Sequence, residues 1–148
     1  MATIQSNKTI MLVDDDKDQN EFISDMLKRN GFEVVVFDDP HGAILSIQQK
    51  KKPVDTIITD LCMPYLDGLE FIEILRRISP ETPVVLLTAH PSIEAYFNAF
   101  SLGVREFINK PVRESEIIRV INTILGQRNR RTSPRNAKPA PPLQKSDG

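Results

Sequence analysis

The chain has 148 residues, of which 40% are hydrophobic and 26% charged, and its net charge is −1. This is the composition of a soluble globular protein, and the length suffices for one domain with a sizeable core. The sequence holds no apolar run near the roughly 18 residues of a membrane span and no N-terminal secretion signal. Cys62 is the only cysteine, which excludes an intrachain disulfide. These absences together predict a cytoplasmic protein.

Short apolar runs rich in strand-forming residues alternate along the chain with segments of helical periodicity. We expect the apolar stripes of the helices to form the core. In chain order, the predicted elements are strand 9–13, helix 19–31, strand 33–37, helix 40–49, strand 55–59, helix 69–78, strand 83–88, helix 92–103, strand 104–109 and helix 114–125.

The last 22 residues differ in composition from the rest. Residues 127–148 hold six basic residues and one acidic residue, a net charge of +5, whereas residues 1–126 hold 13 basic and 19 acidic residues, a net charge of −6. The tail has four prolines and only Leu143 as a large aliphatic residue. It cannot bury enough apolar surface to offset its ordering entropy, so we predict a disordered basic, proline-rich tail. Residues 1–7 are interpreted as an N-terminal extension and 8–126 as the globular domain.

Five strand–helix units in about 120 residues favour an α/β fold with an open parallel sheet and helices on both faces. The runs "MLV", "VVV" and "VVLL" are continuously apolar, as expected for strands that are buried on both faces. One common strand order for such a sheet is 2-1-3-4-5, which places a switch point between the first and third strands at their carboxyl edge. The sequence leaves this order open.

Polar side chains stand at the carboxyl ends of four of these strands. Asp14 and Asp15 follow the first strand, and Asp60 follows the third. Thr88 ends the fourth strand, and Lys110 follows the fifth. Because the carboxyl ends of parallel strands share one edge of the sheet, we expect these groups to converge if the first and third strands are neighbours.

Such a cluster needs positive charge. Two carboxylates about 4 Å apart repel by roughly 4 kcal/mol at an effective dielectric constant near 20, so either a proton or a cation must bind. Lys110 supplies one positive charge, and Mg²⁺, which favours a few carboxylates together with water and phosphate oxygens, would supply two more. Acidic residues after strands also cap helices, and Asp16 or Asp18 can have that simpler role.

Four segments resemble the receiver domain of two-component response regulators. They are "MLVDDD" (11–16), "DLCMPYLDG" (60–68), "VVLLTA" (84–89) and "FINKP" (107–111), and they occur in the order and spacing of that family. The resemblance covers residues 8–126 and implies the flavodoxin-like receiver fold, with five parallel strands in the order 2-1-3-4-5.

The resemblance also implies a site. Asp60 would be the phosphoacceptor, which receives a phosphoryl group from a phosphohistidine as an acyl phosphate. Asp14, Asp15, Asp60 and the backbone carbonyl of Cys62 would hold Mg²⁺, which neutralises charge on the transferring group. Lys110 would contact a phosphoryl oxygen, and a cis peptide is expected between Lys110 and Pro111.

Thr88 and Phe107 would form the switch of such a domain. After phosphorylation the Thr88 hydroxyl would bond to the phosphoryl group and let Phe107 turn inward, which biases a two-state element. The readout surface would be the fourth helix, fifth strand and fifth helix, including Tyr96 and Arg105. Cys62 and His90 occupy positions that tune the lifetime of the phosphoryl group, in a direction that the sequence does not give. His41 is interpreted as a surface residue.

The implied partners are a sensor histidine kinase or a histidine phosphotransfer protein, and a downstream protein target. The main hypothesis is a stand-alone signalling module that catalyses only its own phosphorylation and dephosphorylation. The alternative is the receiver part of a longer transcriptional regulator, truncated in its linker. We expect the basic tail to be a solvated linker, so DNA binding is not expected from this chain alone.

A Mg²⁺-dependent phosphatase is a hypothesis from a different functional class. It would form its acyl phosphate at a similar carboxylate cluster. Phosphatases of the haloacid dehalogenase type place a second aspartate two residues after the nucleophile, whereas this chain has Cys62 there. The residue at that position therefore disfavours the phosphatase hypothesis.

Overall fold

The five apolar runs form one sheet of parallel strands in the computed structural model, which describes residues 8–50, 53–61, 63, 66–90 and 92–131, with backbone alone for 127–131. The strand order is β2-β1-β3-β4-β5, and every neighbouring pair is parallel. This confirms the predicted topology. The strands are β1 (Thr9–Val13), β2 (Glu33–Phe37), β3 (Thr56–Asp60), β4 (Val84–Thr88) and β5 (Glu106–Asn109).

A helix follows each strand. The helices are α1 (Lys17–Arg29), α2 (Pro40–Gln48), α3 (Gly68–Ile78), α4 (Ile93–Ser101) and α5 (Glu114–Arg131). Local capping sets three of the starts, because a side-chain oxygen there accepts a free N–H of the first turn. Asp16 caps α1 by accepting the N–H of Gln19 at 3.1 Å, and Asp39 and Ser92 act in the same way on α2 and α4. The cap at Asp16 confirms one of the two residues proposed for it.

The sheet separates two apolar layers. Ile10 and Leu12 of β1 face α1 and α5, whereas Met11 and Val13 face α2, α3 and α4. Apolar side chains on both faces of the inner strands are buried, which explains why β1, β3 and β4 contain consecutive apolar residues rather than a strict alternation of apolar and polar ones.

The edge strand β2 is an exception to this rule. Its "VVV" run was predicted to be buried on both faces, and that was wrong: Val34 and Val35 are half-buried and Val36 is 41% exposed. The reason is its position, because an edge strand has a neighbour on one side alone and its flanking helices cover it incompletely.

Several predicted boundaries shift by one or two residues, and two of the differences concern the site and the tail. Asp60 is the last residue of β3 rather than the residue after it, so its backbone is held in the ladder. The helix α5 continues to Arg131 instead of ending at residue 125, so the predicted disorder does not begin at residue 127. Residues 1–7 and 132–148, on which the predicted extension and the rest of the predicted tail fall, lie outside the described residues. Within the described chain, no helix combines the length and apolarity needed to cross a membrane.

The turn between β3 and α3 depends on Gly68. Its N–H donates to the Leu61 carbonyl at 3.0 Å, and a Cβ at this position would collide with the Leu61 carbonyl oxygen and lie 2.7 Å from the Leu61 Cα. Backbone cannot move aside as a side-chain tip can. The close approach therefore restricts this position to glycine.

We predict that Gly68→Ala lowers the free energy of unfolding by about 1–3 kcal/mol, the usual range for overpacking. Urea unfolding followed by circular dichroism measures it. Gly42→Ala is the matched control, because its Cβ would meet the ring of Phe37 at 3.2 Å, and a ring edge can shift. Equal stability of wild type and Gly68→Ala would contradict the prediction.

Candidate functional site

The pairing of β1 with β3 brings the predicted carboxylates together. Val13 and Thr59 are partners in the ladder, so Asp14 and Asp60, each the next residue, emerge side by side at the carboxyl edge. Asp14, Asp15 and Asp60 each place one carboxylate oxygen within 4.8 Å of the others. Asp14 and Asp60 are buried and Asp15 is exposed, so the cluster opens to solvent on one side.

Lys110 enters this cluster from the end of β5. Its Nζ donates to Asp14 Oδ2 at 3.2 Å and lies 3.5 Å from Asp60 Oδ1. The second oxygen of Asp14, Oδ1, accepts the N–H of Asp16 at 3.0 Å. The Lys110–Pro111 peptide is cis, as the resemblance implies.

The pKa values of Asp14 and Lys110 are both raised, for different reasons. Burial raises the pKa of Asp14, and the neighbouring Asp60 adds to this, against the lowering effect of the Asp16 N–H and of Lys110. Burial would lower the pKa of Lys110, but attraction to Asp14 and Asp60 outweighs it, and the pKa is raised. The surroundings therefore favour the charged form of Lys110 and disfavour the charged form of Asp14.

The donor set fits a hard divalent cation. One ammonium faces three carboxylates, so the cluster has more negative than positive charge. Carboxylate oxygens are the ligands that Mg²⁺ takes, and Mg²⁺ keeps several waters, for which the exposed side of the cluster at Asp15 leaves room. Asp14, Asp15 and Asp60 could thus hold a metal ion. The carbonyl of Cys62, the fourth predicted ligand, lies outside the described residues.

Thr88 and Phe107 lie next to this site on neighbouring strands. Thr88 is buried at the end of β4, and its Oγ1 accepts the N–H of His90 at 3.1 Å. Its carbonyl accepts the N–H of Lys110 at 2.8 Å, which ties β4 directly to the lysine. Phe107 is half-buried on β5 and packs against Tyr96, with ring centroids 4.8 Å apart. His90 and His41 are both exposed, and His41 pairs with Asp39 at 3.0 Å.

Two polar contacts near the site were not predicted. Asn20, buried on α1, donates from Nδ2 to the carbonyl of Asp14 at 2.7 Å and so fixes the loop that carries the carboxylates. The hydroxyl of Tyr96 donates to Asn109 Oδ1 at 2.8 Å, one residue before Lys110. Neither Asn20 nor Asn109 has a sequence signal beyond a polar residue near a motif.

The exposed face of α4 corrects another expectation. Its apolar residues were predicted to be core, but Ile93 is 87% exposed, Phe97 70% and Phe100 54%. Their spacing of four and three residues places them on one side of the helix, and we call them the α4 stripe. Arg105 stacks over Phe100 at 4.2 Å and donates to its carbonyl at 3.2 Å. The stripe is an apolar surface on α4, one of the predicted readout elements.

Comparison with known proteins decides the family. The model of the response regulator receiver domain matches residues 10–122. The chain belongs to the response regulator receiver family. The parallel sheet in the order 2-1-3-4-5 is the flavodoxin-like fold of its CheY-like relatives: a receiver domain from Methanospirillum hungatei JF-1 superposes with a TM-score of 0.79 at 22% identity, over 84% of this chain and 98% of that chain.

More similar relatives point the same way. The receiver domain of Francisella response regulator 1452 is 31% identical, with a TM-score of 0.74 over 82% of this receiver and 98% of that chain. The transcriptional regulatory protein GlrR of Escherichia coli (strain K12) is 31% identical over 80% of this chain, and CpxR of the same strain is 30% identical over 78%. The receiver spans 26% of GlrR and 48% of CpxR.

We predict that Asp14→Asn makes the Mg²⁺-free protein more stable at pH 7. The folded-state pKa of Asp14 is raised, so the stability that this carboxyl contributes is fully present below its unfolded pKa and is lost as the pH rises through the folded pKa. Asparagine does not ionise, so the variant does not lose this stability as the pH rises, and Lys110 keeps Asp60 as its partner.

Urea unfolding in a chelator, from pH 4 to pH 8, measures the difference. Asp14→Asn should have the higher free energy of unfolding at neutral pH, and the difference from wild type should shrink as the pH falls through the pKa of Asp14. A variant that is less stable than wild type throughout would show that the Asp14 charge stabilises the fold.

Proposed function

We propose that this receiver accepts a phosphoryl group on Asp60 from the phosphohistidine of a sensor histidine kinase or a histidine phosphotransfer protein, in a Mg²⁺-dependent reaction. The observation that carries the proposal is the carboxylate cluster with Lys110 at the switch point of the sheet, in a chain of the receiver family. The kinase, the Mg²⁺ dependence and a cytoplasmic location are predictions.

The chemistry follows from the residues of the cluster. A carboxylate oxygen of Asp60 attacks phosphorus, the P–N bond to the donor imidazole breaks, and the imidazole leaves with the bonding electrons. Lys110 Nζ, 3.5 Å from Asp60 Oδ1, is placed to meet a phosphoryl oxygen and offset its charge. Bound by Asp14, Asp15 and Asp60, Mg²⁺ supplies positive charge for the transferring group. In this proposal the chain catalyses only its own phosphorylation and dephosphorylation.

Phosphorylation would act on the neighbouring strand through Thr88. The hydroxyl of Thr88 is engaged by the N–H of His90, and the added charge of roughly −2 offers it a stronger acceptor. Its movement toward the phosphoryl group opens space beside Phe107, which is only half-buried and can turn inward. The conformational signal then passes from β5 to α4.

The α4 stripe supports a readout surface for a downstream protein. Ile93, Phe97 and Phe100 form an exposed apolar strip, with Arg105 at its end. Aromatic and Arg side chains are enriched where proteins bind one another. A partner that covers this helix would be sensitive to any movement of β5 beneath it.

A second candidate is the receiver part of a longer transcriptional regulator. It is favoured by the relatives, since GlrR and CpxR are transcriptional regulatory proteins and this chain corresponds to a part of each. The chemistry at Asp60 would be the same, and the chain after α5 would be a linker. Salt-dependent DNA binding that is lost on deleting residues 127–148 would instead assign the basic tail a nucleic-acid role.

The phosphatase hypothesis is less favoured, because the residue two places after Asp60 is Cys62 rather than a second aspartate. Steady turnover of an aryl phosphate that is lost in Asp60→Asn would support it instead.

We predict that the chain gains one phosphoryl group when incubated with Mg²⁺ and acetyl phosphate or phosphoramidate, the latter carrying a P–N bond like phosphohistidine. Intact-mass spectrometry detects the gain, and Asp60→Asn should abolish it while keeping nearly the same shape. A chelator should abolish it in the wild type. No gain in the wild type, with Mg²⁺ binding shown separately, would contradict the proposal.

Thr88→Val tests the switch separately from the chemistry. The substitution keeps the volume of a buried side chain but removes its hydroxyl, so we predict that phosphoryl loading persists at a cost of about 1 kcal/mol in stability from the lost hydrogen bond. Hydrogen exchange in α4 and β5 should change on phosphorylation in the wild type and remain constant in the variant. The same change in both proteins would exclude Thr88 from the switch.

A further inference from the structure

The helix that carries the stripe is weakly attached to the domain. Of the nine residues of α4, Ala99 alone is buried, and the large side chains of the stripe point to solvent. Tyr96 is half-buried and makes the polar contact that joins the middle of α4 to the sheet: its hydroxyl donates to Asn109 Oδ1 at 2.8 Å. A helix with so little buried surface depends on its few specific contacts.

Tyr96 makes two contacts with β5. Its ring packs on Phe107 with centroids 4.8 Å apart and planes inclined by 55°, while its hydroxyl reaches the last residue of the strand. Asn109 is the ladder partner of Thr88 and precedes Lys110 in sequence. The Tyr96 side chain thus contacts Phe107, the aromatic residue of the switch, and the side chain of Asn109, the residue before Lys110.

We propose that the Tyr96–Asn109 hydrogen bond is a latch that holds α4 and Phe107 in the unphosphorylated arrangement and sets how readily the switch responds. The inference rests on the proposed function and adds Tyr96 as a positioning residue. When Phe107 turns inward, Tyr96 loses the ring that positions its hydroxyl against Asn109, so in this proposal the hydrogen bond is made only in the resting arrangement. The latch therefore opposes the switched arrangement.

Linkage fixes the sign and size of the effect. A contact made only in the resting arrangement shifts the equilibrium toward that arrangement by some factor. It weakens the binding of a phosphoryl group to the switched arrangement by the same factor. The Tyr96–Asn109 bond is exposed to solvent, so water competes for both groups and the lower end of the range for a neutral hydrogen bond applies, a shift of roughly two- to threefold. Losing the Tyr96 hydroxyl should therefore strengthen the binding of a phosphoryl analogue by the same factor.

The test compares the binding of beryllofluoride, a tetrahedral phosphoryl analogue, to the full chain with Mg²⁺ by titration calorimetry. Tyr96→Phe removes the hydroxyl and keeps the ring, and Asn109→Ala removes the acceptor. Each should bind roughly two- to threefold more tightly than wild type, and the double variant no more tightly than either. Ser101→Ala is the matched control, because its hydroxyl donates within α4, to the Phe97 carbonyl at 2.9 Å; its affinity should equal that of wild type.

Hydrogen exchange of the unliganded chain provides a second measurement that does not need the acidic site. In Tyr96→Phe the amides of α4, and that of Val104, which donates to the Ala99 carbonyl at 3.1 Å, should exchange faster by a similar factor. Wild-type affinity together with wild-type exchange in Tyr96→Phe would overturn the latch. Weaker analogue binding in Tyr96→Phe would reverse its sense and also overturn it. No analogue binding by wild type would instead contradict the proposed function, and the exchange measurement would still decide whether the latch exists.

Discussion

The close approach of Asp14 and Asp60 on adjacent parallel strands is the constraint around which this receiver is organised. The register of β1 and β3 fixes it, and neither residue can withdraw because both are buried at the ends of strands in the sheet. The repulsion between such carboxylates, roughly 4 kcal/mol at 4 Å and an effective dielectric constant near 20, is partly offset by Lys110. With Asp15 on the exposed side, the cluster still lacks positive charge, which suits a site that recruits a cation and then a phosphoryl group.

The same lysine connects the cluster to the rest of the domain. Its N–H is bound by the carbonyl of Thr88, and the residue before it, Asn109, is bound by Tyr96. A short series of contacts therefore connects Asp60 to β5, which holds Phe107, and to α4, which carries the stripe. A change of charge at Asp60 can act on both elements through these contacts. No long pathway is needed, because Thr88 and Asn109 are ladder partners at the ends of β4 and β5, and Tyr96 of α4 contacts Asn109 directly.

The fold and the acidic site could be predicted from the sequence for a physical reason. Strands buried on both faces are mostly apolar, and charged residues at the ends of such strands stand out, so Asp14, Asp60 and Lys110 were recognisable. The exposure of Val36 and of the α4 stripe could not be predicted, since an apolar residue on an edge strand or a sparsely covered helix looks the same in sequence as one in the core. The roles of Asn20, Tyr96 and Asn109 depend on specific side-chain hydrogen bonds, which hydrophobic periodicity does not encode.

The central claim is that the carboxylate cluster binds a divalent cation. Its most direct test is urea unfolding of wild type and Asp14→Asn at pH 7, with and without Mg²⁺. The account predicts that Mg²⁺ stabilises the wild type, by about 2.7 kcal/mol at a concentration one hundred times its Kd, and that the same concentration stabilises Asp14→Asn far less. Equal stabilisation of the two proteins, or none in the wild type, would contradict it.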